Sequence, residues 1–189
     1  MIFVTGAARS GTTLITRMLE VCGADLGGVG ELAENNKFKR KYLKPYLSRL
    51  GADPMGIDPL PDPDGDFPPL TFEADSDFIK DPKLALIWPA LPADAKWLIV
   101  YRDPSKVAES CLRTPFLRNR KDYDGWLEWA EDYQSRLMMI PNACVVRTQD
   151  VIDDVTALEE VVEWFGLEFN EKAMKRCIRK DKWHGDKTE

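Results

Sequence analysis

FVTGAARSGTT, residues 3–13, joins a short β-branched and aromatic run to a glycine-bearing turn and then to a helical pattern. Ile2 to Thr5 reads as a strand that stops at Gly6, and from Gly11 the apolar residues Leu14, Ile15, Met18 and Cys22 recur at helical spacing. The spacing Gly6, four residues, Gly11 matches a phosphate-binding loop of the Walker A type, but Thr12 stands where that motif carries its lysine. A turn that opens a helix offers backbone N–H groups and the positive end of the helix dipole to an anion. Ser10, Thr12 and Thr13 add hydroxyls and Arg9 adds a fixed positive charge. The stretch therefore reads as an anion site. Nucleoside triphosphate hydrolysis is disfavoured, because both the lysine and a Walker-B acid are missing: "WLIVYRD" places Arg102 before Asp103 at a strand end.

The rest of the chain sets the frame for this loop. Its 189 residues suit a single domain of residues 1–189, and 44% apolar with 31% charged residues is a soluble globular composition. No apolar run approaches a membrane span of roughly eighteen residues, and the loop follows the first residues so closely that no leader peptide is expected. A cytoplasmic protein is the expectation. Cys22, Cys111, Cys144 and Cys177 are widely spaced, with a single histidine beside them, so reduced thiols are expected and a metal site is not. A net charge of −6 argues against a general nucleic-acid binder, while leaving room for a local positive pocket.

Trp97-Leu98-Ile99-Val100-Tyr101 is an uninterrupted apolar strand of the kind found inside a parallel sheet, with Arg102 at its carboxyl end. Phe78-Ile79 before Lys80-Asp81-Pro82 reads as a short strand ending in a turn, and Ala143 to Val146 as another strand. Helical patterns cover Lys37 to Leu50, the segment from Pro104 with Val107 and Cys111 inward, Trp126 to Leu137, and Leu158 to Phe165 before Gly166. The basic face Lys37, Lys39, Arg40, Lys41 and Lys44 is expected to be solvated. Six prolines and five aspartates between Gly51 and Pro69 mark a long surface loop over 51–69, and a polar tail begins at about 180. Alternating strands and helices predict an α/β fold, a three-layer sandwich around a mostly parallel central sheet of the P-loop nucleotide-hydrolase type. Ligands of such sheets sit beyond the carboxyl ends of the strands, where Gly6 to Thr13 and Arg102 fall.

Four segments, in order along the chain, resemble the sulfotransferases that use 3′-phosphoadenosine 5′-phosphosulfate. "ARSGTTL", residues 8–14, resembles their 5′-phosphosulfate loop, and "YRDPSKVAES", residues 101–110, resembles their 3′-phosphate motif, in which an arginine is followed eight residues later by a serine. "KDP", residues 80–82, is similar to a strand-end motif of the tyrosylprotein and carbohydrate branches. "VVRTQDVIDDVTALEEVVEWFGL", residues 145–167, is similar to the family's closing segment, with Thr148-Gln149 in place of the usual Tyr-Glu.

The resemblance implies a donor with two anionic ends and no nucleotide metal. Arg9 with Ser10, Gly11, Thr12 and Thr13 would hold the phosphosulfate, and Arg102 with Ser110 the 3′-phosphate, through charge-assisted bonds. A structural ion pair of Arg102 with Asp103 or Glu109 is the competing reading. Lys80 is implied as the cation near the leaving group and Glu31, in "GGVGELAE", as the base, with Glu34 and Asp81 as rivals. No histidine base carries over, since Asp81-Pro82 occupies its place; His184 reads as a bystander, and Trp183 and Lys182 as candidates to close over the adenine. Expected acceptors are a small molecule, a glycan or a peptide. Two other readings stand beside this one, a P-loop kinase of small molecules and a non-catalytic nucleotide-binding module.

Overall fold

Side-chain alternation along four short strands creates two apolar layers. The computed structural model describes residues 1–27 and 35–178. Within them β1 (Ile2–Thr5), β2 (Phe78–Lys80), β3 (Lys96–Tyr101) and β4 (Ala143–Arg147) form an all-parallel sheet in the order β2-β1-β3-β4. Phe3, Ile79, Trp97 and Ile99 face one buried cluster, and Ile2, Val4, Phe78, Leu98 and Val100 face the other.

Helices close both layers. Against the first pack α2 (Asn36–Phe38), α3 (Lys44–Arg49), α4 (Pro104–Arg113) and α5 (Tyr123–Met138). Against the second pack α1 (Thr12–Val21), α6 (Thr148–Asp153), α7 (Glu159–Trp164) and α8 (Glu171–Cys177). The α/β fold with a parallel sheet between helical layers is the one expected. Because β1 pairs with β2 on one side and β3 on the other, the chain changes direction across the sheet at β1 and leaves a crevice between the ends of β1 and β3.

The helix expected over Lys37 to Leu50 is real but irregular. A π-helical turn, Lys39–Leu43, joins α2 to α3, with the Lys44 N–H bonded to the Lys39 carbonyl. Pro45 explains it, since a proline inside a regular helix has no N–H to give and crowds the carbonyl four residues back. The basic face is also not simply solvated. Lys37 pairs with Asp75 at 2.7 Å and Lys41 with Glu73 at 3.7 Å, while Lys39 turns inward to within 4.0 Å of Asp81. The helix thus straps down the segment that leads into β2.

The Pro/Asp-rich loop is anchored at several points. Tyr46 Oη donates to the Pro68 carbonyl at 2.7 Å, Arg136 donates to the Pro61 carbonyl at 2.6 Å, and Lys121 pairs with Asp58 at 3.0 Å. The expected stripe Leu158 to Phe165 divides into a 3-10 turn, Val155–Leu158, and α7, and Gly166 at φ 75° ends the run as expected. No helix of the described residues is long and apolar enough to cross a membrane.

Candidate active site at the carboxyl ends of the strands

All four strands end in residues that meet in one place. β1 runs into the loop Gly6 to Gly11, which turns through two left-handed residues, Arg9 at φ 70° and Gly11 at φ 94°. Gly11 caps α1, and the Leu14 and Ile15 amides both bond its carbonyl. The Gly11 and Thr12 amides precede those bonds, in the first turn where a helix has no acceptors of its own. Ser10 is fully buried, and its Oγ has no hydrogen-bond partner among the described residues. An orphaned hydroxyl beside first-turn amides that have no acceptor among the described residues, in a loop with left-handed turns, fits an anionic ligand.

The loop sits so close to β3 that only glycine fits at its start. A Cβ on Gly6 would lie 2.4 Å from the Val100 carbonyl oxygen and 2.6 Å from Ser10 Oγ. Gly6→Ala should therefore destabilise the fold by about 1–3 kcal/mol through overpacking against backbone. Urea unfolding checks this: an unchanged midpoint would contradict the close approach.

Arg9, Ser110 and Arg102 converge across the crevice. Arg9 Nε donates to Ser110 Oγ at 3.2 Å, and Arg102 Nη1 donates to the Arg9 carbonyl at 2.9 Å. The two anion sites expected from the sequence are thus contiguous, and the Arg9 guanidinium leans toward the second. Ser110 is buried on α4, and because its oxygen accepts from Arg9, its own O–H remains to donate. The rival ion pairs are engaged elsewhere. Asp103 caps α4 and is held below the usual carboxylate range by the Ser105 hydroxyl, while Glu109 pairs with Lys106 at 3.2 Å and Arg113 at 3.7 Å. Gln134 of α5 donates its Nε2 to the Arg102 carbonyl and fixes the strand end from below.

Cys111 lies beneath these arginines, fully buried. Burial pushes its thiol up to about 12, against the opposing pull of the Arg9 and Arg102 charges. A thiol that stays protonated is no nucleophile. Native protein treated with iodoacetamide at about pH 8 should leave Cys111 unmodified, as read by peptide mass spectrometry; rapid labelling would overturn this. The linkage sign is destabilising. Between the ordinary value of 9.0 and about 12 the unfolded chain loses a proton that the folded one keeps, so stability falls as pH rises through that window.

Lys80 comes from the end of β2. Strand alternation turns it toward the α1 layer, where its Nζ lies 3.4 Å from Thr13 Oγ1 although the residue is only 2% exposed. The next residue, Asp81, pairs with Lys83 at 2.6 Å and accepts from the Lys83 amide at 2.9 Å as the cap of the 3-10 turn Pro82–Leu86. Its neighbour, the Pro82 carbonyl, accepts from Thr5 Oγ1 at 2.8 Å and from the Tyr133 hydroxyl at 2.5 Å. Burial, aided by the Asp81 charge, keeps the Tyr133 phenol protonated far above its ordinary value. Asp81 is thus a buried anchor of the turn that carries Lys80.

Of the site residues expected from the sequence, Arg9, Ser10, Gly11, Thr12, Thr13, Lys80, Arg102 and Ser110 come together here. Glu31 and its rival Glu34 lie outside the described residues, as do Lys182, Trp183 and His184. Sequence reading missed Thr148, which closes the loop from the end of β4 with a hydroxyl donated to the Ser10 carbonyl. It also missed the part of Gln134. The Thr148-Gln149 departure from Tyr-Glu was the one signal pointing to the first of these.

Fold and loop together define an α/β protein with an all-parallel sheet, in which a glycine-bearing loop, Arg9 and Arg102 meet at the strand ends. Among solved structures the chain is similar to sulfotransferase STF1 from Mycobacterium tuberculosis H37Rv, at 14% identity and a TM-score of 0.46, over 93% of this chain and 69% of that one. It is similar also to retinol dehydratase in complex with androsterone and the inactive cofactor PAP, at 15% identity and a TM-score of 0.48, over 93% of this chain. It spans 62% of the length of that second protein. No protein-family model and no curated protein sequence matches the chain.

Proposed function

We propose that the protein is a sulfotransferase that moves a sulfuryl group from 3′-phosphoadenosine 5′-phosphosulfate to a hydroxyl or amine. The observation that carries this reading is the convergence of Arg9, Arg102 and Ser110 beside a phosphate-type loop that lacks its lysine. Such a site suits a ligand with two separate anionic groups and needs no metal to hold them. The Gly11 and Thr12 amides with the Ser10 hydroxyl would hold the phosphosulfate end, and Arg102 with Ser110 the 3′-phosphate.

The donor supplies an activated sulfur–oxygen bond. Glu31 is proposed to take the proton of the acceptor as its oxygen or nitrogen bonds to sulfur, and Lys80 to stabilise the charge that grows on the departing bridging oxygen. Asp81 is held by Lys83, which gives it an anchoring part and leaves Glu31, with Glu34 as its rival, for the proton. A Glu31→Gln variant should lose transfer while keeping its affinity for the product 3′,5′-bisphosphoadenosine. Equal transfer by variant and wild type would remove Glu31 from the mechanism.

A small molecule, a glycan and a peptide are the proposed acceptor classes, and one assay tests all three. Protein is incubated with sulfur-labelled donor and a panel of hydroxyl and amine acceptors, with chelator and no added magnesium. Labelled product together with free bisphosphoadenosine is the expected result. Magnesium-dependent phosphate release from ATP would instead make the protein a kinase, and tight product binding with no transfer to any acceptor would make it a binding module.

A further inference from the structure

The loop's hydrogen bonds single out a residue outside the donor-contacting set. Thr148 is the first residue of α6, directly after β4, and is fully buried. Its Oγ1 donates to the Ser10 carbonyl, a contact spanning 138 residues of sequence. Its methyl fills the space next to Gly11, where a Cβ would stand 2.6 Å from Thr148 Cγ2 and 2.9 Å from Oγ1.

The planar peptide gives this contact a consequence. In a trans peptide the C=O of one residue and the N–H of the next point in opposite directions. Ser10 and Gly11 share such a peptide, so a Ser10 carbonyl held by Thr148 turns the Gly11 amide the opposite way, away from Thr148. No protein acceptor for that amide occurs among the described residues. The preceding peptide is fixed in a similar way, with the Arg9 carbonyl on Arg102 and the Ser10 amide on the Ala7 carbonyl at 3.1 Å. Of the two peptides, the one governed by Thr148 leaves its amide for a ligand.

We propose that Thr148 is a positioning residue that aims the Gly11 amide at the 5′-phosphate end of the donor. The inference rests on the sulfotransferase reading of the loop. It also gives a physical role to the departure at Thr148-Gln149. A threonine is small enough to lie against the Gly11 α-carbon and still supplies a donor, whereas a tyrosine there would need that space for its ring.

Isothermal titration of purified protein tests it with two probes, 3′,5′-bisphosphoadenosine and adenosine 3′-monophosphate, which lacks a 5′-phosphate. Thr148→Val keeps the shape and removes the donor; it should weaken the first probe by about five- to tenfold and leave the second within about twofold. Thr148→Ser keeps the donor and should bind both within about twofold of wild type. Thr148→Val matching wild type on the first probe, weakening both probes alike, or serine failing to restore affinity would each overturn the proposal. Wild-type protein that binds no bisphosphoadenosine would instead remove the sulfotransferase reading itself.

Discussion

A Lys80→Met variant is expected to turn over about 10²–10³-fold more slowly than wild type while binding 3′,5′-bisphosphoadenosine with an affinity changed far less. The reason lies in where β2 puts this side chain. Lysine is rarely buried, because an ammonium deprived of water is costly unless another charge or strong acceptor replaces it. Here it is almost wholly buried, facing Thr13 in the first turn of the helix that follows the anion loop. Methionine keeps the length and the apolar stem and deletes the charge, so the fold should hold. A cation that acts on the departing oxygen contributes more in the transition state than in the ground state, which lowers kcat rather than affinity. If affinity falls in step with kcat, Lys80 is a binding cation only, and if neither changes it has no part in the reaction.

Arg102→Ala should weaken bisphosphoadenosine by about ten- to a hundredfold, the loss expected for a charge-assisted bond worth about 1.5–3 kcal/mol. The stronger sign is selectivity. Wild type should prefer bisphosphoadenosine over adenosine 5′-monophosphate, and the variant should lose most of that preference. Arg102 also holds the Arg9 carbonyl, so a smaller loss on the monophosphate is expected as the loop loosens. Arg102→Lys should recover little, since an ammonium cannot hold a phosphate and a carbonyl in the fixed fork of a guanidinium. Equal weakening of both ligands would show that Arg102 serves the loop alone.

Much of the fold was legible in the sequence, since local signals and the packed structure agree there. Ile2 to Thr5 and the KWLIVY run are strands because β-branched and aromatic residues fit both buried faces of a parallel sheet. Arg9 and Arg102 were readable as candidates because their places after strand ends follow from chain order, and Lys80 and Ser110 because the resemblance of their motifs implied them. Their mutual contacts were not readable. Arg9 reaches Ser110 across 101 residues, and nothing in either motif announces that the two meet.

What stayed hidden concerns backbone groups above all. The Ser10, Arg9 and Pro82 carbonyls each need a donor once the loop is buried, and the donors Thr148, Arg102, Thr5 and Tyr133 come from remote elements. Periodicity records which face of a helix is apolar and carries no trace of such pairings. The inward turn of Lys39 escaped for the same reason, since its charge made it look like one more residue of a solvated face until Asp81 was placed beside it. Pro45 was the visible warning of the π-helical turn, two residues after that turn ends.

The most direct test of the central claim is titration calorimetry of the purified chain with 3′,5′-bisphosphoadenosine in chelator, against ATP with magnesium. The site described here predicts binding of the bisphosphate without metal and at least about tenfold tighter than ATP with magnesium, an advantage that Arg102→Ala removes. Tight binding of ATP with magnesium and none of bisphosphoadenosine would contradict it.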